Sequence, residues 1–324
     1  MGLSEVSGPA AGRRRQILLS VGASVPLRTL AWVTLVGATV LLVRAEALRP
    51  ERPEGVKAFT DLVYHEVGGR RLRLDVYLPE GPTVQSGRGR PAVLAIHGGG
   101  WRGGGKAEYG RSVARLARYG LVVVAVEYRL SAPGVPSWPG NLADVREAVR
   151  WVRRNASGYG IDPDRVAVIG ASAGGHLALM LGTTPAGDPA GVRAVIDFYG
   201  PTDLRALYAL RTPADQAIGM FLGGPPEAVP SRYDAASPLR HVAPGAPPVL
   251  IVHGLDDLLV PPGQSLLLAE ALRRAAVPHR LLAVPGARHG FGLRAGSRDL
   301  VPEILDFLQG VWGGTPLVTP SRRS

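Results

Sequence analysis

From Ala92 onward, short apolar runs alternate with amphipathic stretches of helical length, and this alternation constrains the fold more than any other feature of the sequence. The apolar runs are Ala92–Ile96, Leu121–Val126, Val166–Ile169, Ala194–Phe198, Val249–Val252 and Arg280–Val284. Such runs are typical of strands buried on both faces of a sheet. The predicted helices between them are Glu108–Tyr119, Leu142–Asn155, Ala173–Leu181, Gln264–Ala276 and Arg298–Val311. Strands joined by crossover helices predict an α/β fold whose sheet is doubly wound and mostly parallel.

Two segments depart from this alternation. Leu62–Val67 and Leu72–Leu78 alternate apolar and polar residues on either side of Gly68-Gly69, which predicts an antiparallel hairpin ahead of the parallel strands. Pro201–Pro248 separates two predicted strands and has no strong strand pattern of its own. We therefore expect this stretch to form a small cap or lid insertion over the functional site.

Composition divides the chain into four parts. Residues 1–47 contain a polar tail and an apolar segment, and residues 48–58 form a polar, proline-containing linker. Residues 59–311 carry the α/β pattern, and residues 312–324 are predicted to be a disordered tail. With 46% hydrophobic and 19% charged residues, the chain is not intrinsically disordered as a whole and has enough apolar residues for a sizeable core.

The apolar segment Leu30–Val43 is the most hydrophobic stretch of the chain, but it is shorter than the ~20 residues that span a bilayer. Extended back to Val25, it reaches that length if the side chain of Arg28 snorkels to the interface. We favour an N-terminal hydrophobic helix that acts as a signal anchor. A cleaved signal peptide ending at the A-x-A pattern Ala45–Ala47 is the alternative, and a buried amphipathic helix fits least because the run has no polar face. Arg13–Arg15 predicts a cytoplasmic N-terminus, and hence a membrane-anchored extracytoplasmic domain, or a secreted one after cleavage.

Charge and cysteine content limit the classes of partner. A net charge of +11 is compatible with nucleic-acid binding. The basic residues are scattered, however, and form no aromatic-rich basic stripe, so we do not expect nucleic acid as a partner. The absence of cysteine excludes disulfides, zinc–thiolate sites, iron–sulfur clusters and a cysteine nucleophile. The sequence also lacks a metal-ligand cluster, a dinucleotide fingerprint and a P-loop, so neither a metal nor a cofactor is expected.

A G-x-S-x-G motif follows the predicted strand Val166–Ile169. It places Ser172 on a tight strand-to-helix turn, which raises the hydroxyl above the edge of the sheet. Gly170 and Gly174 remove Cβ atoms where strand and helix approach each other, and the helix N-terminus contributes the positive end of its dipole. Because the same pattern also occurs in ordinary glycine-rich turns, the motif alone makes Ser172 a candidate nucleophile and no more.

A second glycine-rich motif, His97-Gly98-Gly99-Gly100-Trp101, follows the predicted strand Ala92–Ile96. Its glycines allow backbone N–H groups to approach a substrate oxygen. Two donors from this loop, together with the N–H of Ala173, are suited to hold the oxyanion of a tetrahedral intermediate. Trp101 is a candidate substrate-binding residue, although packing in the core or at the rim explains a tryptophan here equally well.

A nucleophilic serine needs a base, and the base needs an orienting carboxylate. Asp256 and Asp257 follow the predicted strand Val249–Val252, and His289 follows the last predicted strand on a glycine-flanked loop. Serine, acid and histidine therefore occur in the chain order expected of a strand-turn-helix nucleophile. The two adjacent aspartates point in different directions at a strand end, so one of them faces the histidine, and spacing alone leaves open which one.

These residues carry a resemblance to a known family over roughly Phe59–Gln309. The matching pieces are HGGGW (His97–Trp101), VEYRLS (Val126–Ser131), the stretch Asn141–Leu181 that contains the serine motif, YGPTDL (Tyr199–Leu204), HGLDDLLVP (His253–Pro261) and the loop at His289. The chain resembles an α/β-hydrolase of the hormone-sensitive-lipase-like esterase group. It is most similar to the branch described as ferulic-esterase-like, which has relatives among kynurenine formamidases and prenylcysteine methylesterases.

The resemblance implies an α/β-hydrolase fold and a set of site residues. The pattern H-G-x-x-D selects Asp257 as the acid, with Ser172 as nucleophile and His289 as base. The implied oxyanion hole consists of Gly99, Gly100 and Ala173. Glu127 departs from the family, in which this position is often asparagine.

The expected activity is that of a serine hydrolase that cleaves small to medium carboxylic esters through an acyl-enzyme. The alternatives are an amidase, formamidase or peptidase with the same residues, or an inactive membrane-tethered binding protein. Four further polar residues are expected to be structural rather than catalytic: His97, His176, His253 and Asp203.

Overall fold

A computed structural model of the chain describes residues 54–313, apart from 82–88, 184–187 and 189. Within these residues, eight strands form one sheet in the order β1-β2-β4-β3-β5-β6-β7-β8. They are β1 (Val56–Val67), β2 (Arg70–Pro79), β3 (Arg90–Ile96), β4 (Val122–Val126), β5 (Ile161–Ala171), β6 (Ala194–Phe198), β7 (Val249–Gly254) and β8 (His279–Val284). A short antiparallel pair, β9 (Arg294–Ala295) and β10 (Arg298–Asp299), stands apart from the sheet.

The described helices connect these strands. They are α1 (Lys106–Val113), α2 (Gly140–Arg154), α3 (Ala173–Gly182), α4 (Leu204–Ala209), α5 (Ala214–Leu222), α6 (Pro230–Ala235), α7 (Gly263–Arg274) and α8 (Val301–Trp312). Strands β3 to β8 run parallel, while β1 and β2 form an antiparallel hairpin at one edge. The prediction of a doubly wound, mostly parallel sheet is therefore confirmed.

The sheet separates two apolar cores, because successive side chains of a strand point to opposite faces. In β3, Leu94 and Ile96 belong to one cluster and Val93 and Ala95 to the other. All residues of β3 and β4 are buried, which explains why these strands read as continuous apolar runs rather than as alternating ones. In a sheet of this kind the carboxyl ends of the parallel strands form the edge where sites develop.

Most element boundaries differ from the sequence-based expectation by a few residues, and for two of them the structure shows the cause. Strand β1 begins at Val56, inside the stretch predicted as linker, because Val56 is buried and pairs with Pro79 of β2. The last helix begins at Val301 rather than Arg298, and it ends at Trp312, the first residue of the predicted tail. The carboxylate of Asp299 accepts a hydrogen bond from the N–H of Val301 at 3.1 Å, which satisfies the first N–H group of the helix after the β9–β10 pair.

The stretch Pro201–Pro248 forms the small cap that the missing strand pattern predicted. It contains α4, α5 and α6, and it lies between β6 and β7 in the chain. Asp203 caps α4 by accepting a hydrogen bond from the N–H of Ala206 at 2.9 Å, a structural role.

The predicted N-terminal hydrophobic helix within residues 1–47 lies outside the described residues, as do most of the linker and most of the C-terminal tail. Within the part of the chain that the structure describes, no helix combines the length and apolar character needed to cross a bilayer.

Candidate active site

Ser172 sits on the sharp turn between β5 and α3. Its φ of 55° lies in the left-handed region, which is strained for a residue with a side chain. The turn is tight because two glycines allow close contact: a Cβ on Gly170 would lie 2.1 Å from the carbonyl oxygen of Gly174, and one on Gly174 would lie 2.1 Å from that of Ile96. The glycine spacing thus brings strand and helix together and leaves the serine at the carboxyl edge of the sheet.

His289 bridges this serine and a buried carboxylate. Its Nε2 lies 2.9 Å from Oγ of Ser172, and its Nδ1 lies 2.7 Å from Oδ2 of Asp257. An ionised carboxylate can only accept, so Nδ1–H donates to Asp257 and Nε2 is left to accept from the serine hydroxyl. This arrangement lets the imidazole remove the hydroxyl proton as Ser172 attacks an electrophile.

The chain around Asp257 holds its carboxylate in the ionised form. Its Oδ1 accepts hydrogen bonds from the N–H groups of Leu259 and Val260, each at 2.9 Å. Burial alone would raise the pKa of Asp257, but hydrogen bonds from His253, His289 and the Val260 N–H outweigh it and hold the pKa well below the ordinary value. The carboxylate therefore remains an acceptor for His289 throughout the neutral pH range.

The loop after β3 lies directly against the serine turn. Gly99 and Gly100 have φ values of 114° and 59°, and a Cβ on Gly98 would lie 2.8 Å from the carbonyl oxygen of Ala171. Among the described residues, no backbone carbonyl accepts a hydrogen bond from the N–H of Gly99 or Gly100. The N–H of Ala173 opens α3, where the first N–H groups of a helix have no partner within it. These three donors are the ones predicted for an oxyanion hole.

Trp101 lines the same cavity, but its ring is used mainly for packing. It is buried, and its ring stacks on Phe221 of the cap with centroids 4.4 Å apart. Its indole N–H donates to Nδ1 of His176 at 3.2 Å, and Nε2 of His176 lies 2.7 Å from the carbonyl oxygen of Ala236. Contact of Trp101 with a substrate therefore stays a prediction.

A cavity of about 730 Å³ opens over these groups. One wall is apolar and comes from the cap and the loop after β7; its residues are Pro213, Ala214, Ala217, Leu259 and Val260. Tyr109 and Ser112 of α1 line it as well. A larger depression of about 1200 Å³ is lined by residues at the amino ends of the parallel strands, and Ser172, Asp257 and His289 do not line it. Among the described residues, no cluster of three or more His, Asp or Glu side chains is arranged to hold a metal ion.

Two residues beside the predicted site are Tyr199, which the sequence analysis did not single out, and His253, which it expected to be structural. Tyr199 packs against His289 with ring centroids 4.7 Å apart, and Nε2 of His253 lies 3.4 Å from Oδ2 of Asp257. The available signal was their position, since each residue stands at the carboxyl end of a strand next to the predicted site.

A parallel sheet in this order, with a serine raised on the β5 turn and a histidine loop after the last strand, defines the α/β-hydrolase class. Within that class the chain belongs to the BD-FAE family, whose family model matches residues 74–272, more than half of the chain. The resemblance to an esterase family of α/β-hydrolases is therefore confirmed.

Curated relatives and solved structures agree with this assignment. Esterase LipQ of Mycobacterium tuberculosis is 33% identical over 76% of this chain and 61% of its own length. Probable carboxylic ester hydrolase LipM of the same organism is 32% identical over 74% of this chain and 57% of its own. The chain thus spans about three fifths of the length of these relatives.

Two solved structures match most of the described fold. An esterase from the planctomycete Thermogutta terrifontis, Est2, is 30% identical with a TM-score of 0.66, covering 82% of this chain and 96% of that one. A truncated carbohydrate esterase from gut microbiota is 27% identical with a TM-score of 0.69, covering 78% of this chain and 95% of that one. Thermogutta terrifontis esterase 2 has also been solved phosphonylated by sarin.

Proposed function

We propose that the protein is a carboxylic ester hydrolase that acts on small to medium esters through a covalent acyl-enzyme. The observation that carries this proposal is the hydrogen-bonded chain from Oγ of Ser172 through His289 to Asp257, with distances of 2.9 and 2.7 Å. The esterase names of the relatives support the bond type, and the cavity of about 730 Å³ supports the substrate size.

The first half of the proposed reaction acylates Ser172. As Oγ attacks the ester carbonyl carbon, its proton moves to Nε2 of His289, and the carbonyl oxygen becomes an oxyanion. The N–H groups of Gly99, Gly100 and Ala173 donate to that oxyanion, where preorganised donors contribute most. The carbon–oxygen bond to the alcohol then breaks, and the alcohol leaves with the proton from His289.

The second half releases the acid. A water molecule gives a proton to Nε2 of His289 as its oxygen attacks the acyl carbonyl, and the same backbone donors hold the second oxyanion. The bond between acyl carbon and Oγ breaks, and Ser172 recovers the proton from His289. Asp257 accepts from Nδ1–H throughout, which keeps the ring oriented and stabilises the imidazolium.

The decisive experiment is a substrate panel on the wild type and Ser172→Ala. We expect the wild type to hydrolyse p-nitrophenyl esters from acetate to octanoate faster than aryl formamides or peptide amides. Ser172→Ala should lose at least about 10³-fold in kcat with an unchanged circular dichroism spectrum. An organophosphorus probe should label the wild type and not the variant.

Three outcomes would contradict the proposal. Ester hydrolysis retained by Ser172→Ala would exclude the serine mechanism. Faster turnover of formamides or amides would move the protein to the amidase alternative. A wild type that neither turns over nor reacts with the probe would point to an inactive binding protein.

We also propose that residues 1–47 anchor the protein to a membrane with the hydrolase domain on the extracytoplasmic side. The support is the apolar run Leu30–Val43 with Arg13–Arg15 ahead of it. Fractionation of cells that express the full chain tests this proposal, because an anchored chain stays with membranes after a carbonate wash. Full-length protein in the wash would exclude anchoring, and a shortened chain in the medium would indicate a cleaved signal peptide.

A further inference from the structure

Tyr199 has a backbone conformation that a tyrosine rarely adopts. It directly follows β6 and is buried, and its φ of 44° lies in the left-handed region. Glycine adopts this region without strain, whereas a residue with a Cβ does not. Strained residues persist only where their surroundings hold them, and they cluster at functional sites. The side chain of Tyr199 therefore has a role that a glycine could not fill.

The side chain of Tyr199 contacts the loop that carries His289. Its ring centroid lies 4.7 Å from the imidazole of His289, at an interplanar angle of 59°, and 4.8 Å from the ring of Phe291. Its hydroxyl donates a hydrogen bond to the carbonyl oxygen of Phe291, two residues beyond the histidine. Its own N–H donates to the carbonyl oxygen of Val252 at 2.9 Å, which fixes Tyr199 to the end of β7.

The histidine loop has few other attachments. Within the described residues, the backbone hydrogen bonding of 288–292 is confined to the turn at His289 and Gly290, where Gly290 has a φ of 97°. The contacts that the structure describes for His289 are the two hydrogen bonds of its side chain and the ring of Tyr199. A loop with so few backbone hydrogen bonds opens locally at low free energy unless side chains hold it.

We propose that Tyr199 is a positioning residue that holds the loop of His289, so that Nε2 stays within hydrogen-bonding distance of Ser172. The inference rests on the proposed function, since it assigns His289 the part of the base. Burial, followed by the charges of Asp257 and Asp197, raises the pKa of Tyr199 above its ordinary value. The hydroxyl therefore stays protonated and continues to donate to Phe291 at any pH at which the enzyme is assayed.

Tyr199→Phe tests the role of the hydroxyl, because it keeps the ring and removes one oxygen. The matched control is Tyr64→Phe, which also removes the hydroxyl of a buried tyrosine. The hydroxyl of Tyr64 donates to the carbonyl oxygen of Glu127 at 2.5 Å, but Tyr64 lies in β1 and does not contact the histidine loop. Since small misplacements of a reacting group are costly, we expect Tyr199→Phe to lower kcat on p-nitrophenyl acetate about tenfold. Its KM should stay within about twofold, and Tyr64→Phe should change neither constant.

Hydrogen exchange provides a readout that does not depend on activity. The backbone amides of residues 286–293 should exchange faster in Tyr199→Phe than in the wild type, and they should be unchanged in Tyr64→Phe. Tyr199→Leu removes the ring as well, so we expect a further fall of kcat, to about a hundredfold below the wild type.

The outcomes separate this inference from the function on which it rests. An active wild type together with a Tyr199→Phe variant of unchanged kcat overturns the positioning role alone, whether or not exchange of the loop rises. Equal losses of kcat in Tyr199→Phe and Tyr64→Phe also overturn it, because a general loss of packing would then explain both. A wild type that is inactive on every ester and unlabelled by the probe overturns the proposed function, and the inference with it.

Discussion

Asp256 and Asp257 are neighbours in the chain but lie in opposite environments, since Asp256 is exposed whereas Asp257 is 2% exposed and bonded to His289. The N–H of Asp256 donates to the carbonyl oxygen of Ala287 at 3.0 Å, which turns the next residue inward beneath the histidine loop. The direction of the chain at this point, rather than any difference in chemistry, decides which carboxylate can orient the histidine.

This difference predicts unequal effects of the same substitution. Asp257→Asn replaces an acceptor of Nδ1–H by an amide, which disfavours the required tautomer, and we expect kcat on p-nitrophenyl acetate to fall by about 10³- to 10⁴-fold. Asp256→Asn, the matched control, should stay within about twofold of the wild type because surface substitutions rarely matter. The reverse ranking would show that Asp256 is the acid and that the hydrogen-bonded chain described above is not the one used.

A second buried acid, Asp197, should make a contribution to stability that falls with rising pH. Its Oδ1 accepts from the N–H of Gly200 at 2.9 Å, while its Oδ2 has no hydrogen-bond partner among the residues that the structure describes. Burial raises the pKa of Asp197 to about 7, against smaller opposing effects of His253 and the Gly200 N–H. An aspartate of the unfolded chain titrates near pH ~3.9. Between these two values the folded protein keeps a proton on Asp197 that the unfolded chain has lost, so the contribution of Asp197 to the free energy of unfolding falls as the pH rises.

Asp197→Asn removes this titration while keeping an oxygen for Gly200. The variant should match the wild type near pH ~4 and become more stable than it toward pH ~8, since each tenfold difference in acid dissociation is worth about 1.4 kcal/mol. Urea unfolding at several pH values measures the difference. A constant offset between the two proteins across this range would contradict the raised pKa.

The sequence predicts that Ser172 and His289 come together, and the reason is physical. Gly170 and Gly174 are needed where β5 and α3 touch, and residues at the carboxyl ends of parallel strands share one edge, so local patterns predict the meeting of Ser172 and His289. The position of Tyr199 directly after β6 places it at the same edge, but its contact with the histidine loop was not predictable in this way. Its contact with Phe291 joins positions 92 residues apart, and nothing in the local pattern indicates that contact.

Element ends were the less predictable part of the fold. The sequence does contain a signal for the start of α8, namely Asp299 ahead of Pro302. The residues around it also fit a helical pattern, which hides the exact starting point. The start of β1 at Val56 depends on the pairing of Val56 with Pro79 across the hairpin. The polar composition of the surrounding residues gives no indication of this pairing.

Lys106 should stabilise the entry of the glycine loop into α1. It is buried, and its Nζ lies 2.8 Å from Oδ1 of Asp61 and 2.8 Å from Oδ1 of Asp75, of which the second is also buried. Lys106→Met leaves the carboxylate of Asp75 without its cation, so we expect the free energy of unfolding to fall by about 3 kcal/mol.

The control for this charge removal is Arg71→Met. Arg71 pairs with Glu66 at 3.0 Å, but both side chains are exposed, and we expect a change of less than about 1 kcal/mol. Urea unfolding at neutral pH measures both variants. Equal, small effects would mean that the buried pair contributes no more than a surface pair does.

His176 should support the loop after β3, which carries Gly99 and Gly100. A carbonyl oxygen only accepts, so Nε2–H of His176 donates to Ala236 and Nδ1 accepts from the indole of Trp101, the residue that follows Gly99 and Gly100. Burial lowers the pKa of His176 to about 4, so the ring is neutral at ordinary pH and can accept from Trp101. The imidazole thereby ties the cap to the loop that carries two of the proposed oxyanion donors.

His176→Phe keeps a ring of similar shape and removes both hydrogen bonds. We expect kcat on p-nitrophenyl acetate to fall by about tenfold, because a displaced oxyanion donor weakens the transition state more than substrate binding. His241→Phe is the control: its Nε2 also contacts a cap carbonyl, that of Ala235 at 2.9 Å, but it is exposed. Rates are compared per active site titrated with the organophosphorus probe, so that unfolded protein does not count. A His176→Phe variant with the kcat and KM of the His241→Phe control would show that the loop of Gly99 and Gly100 keeps its geometry without this imidazole.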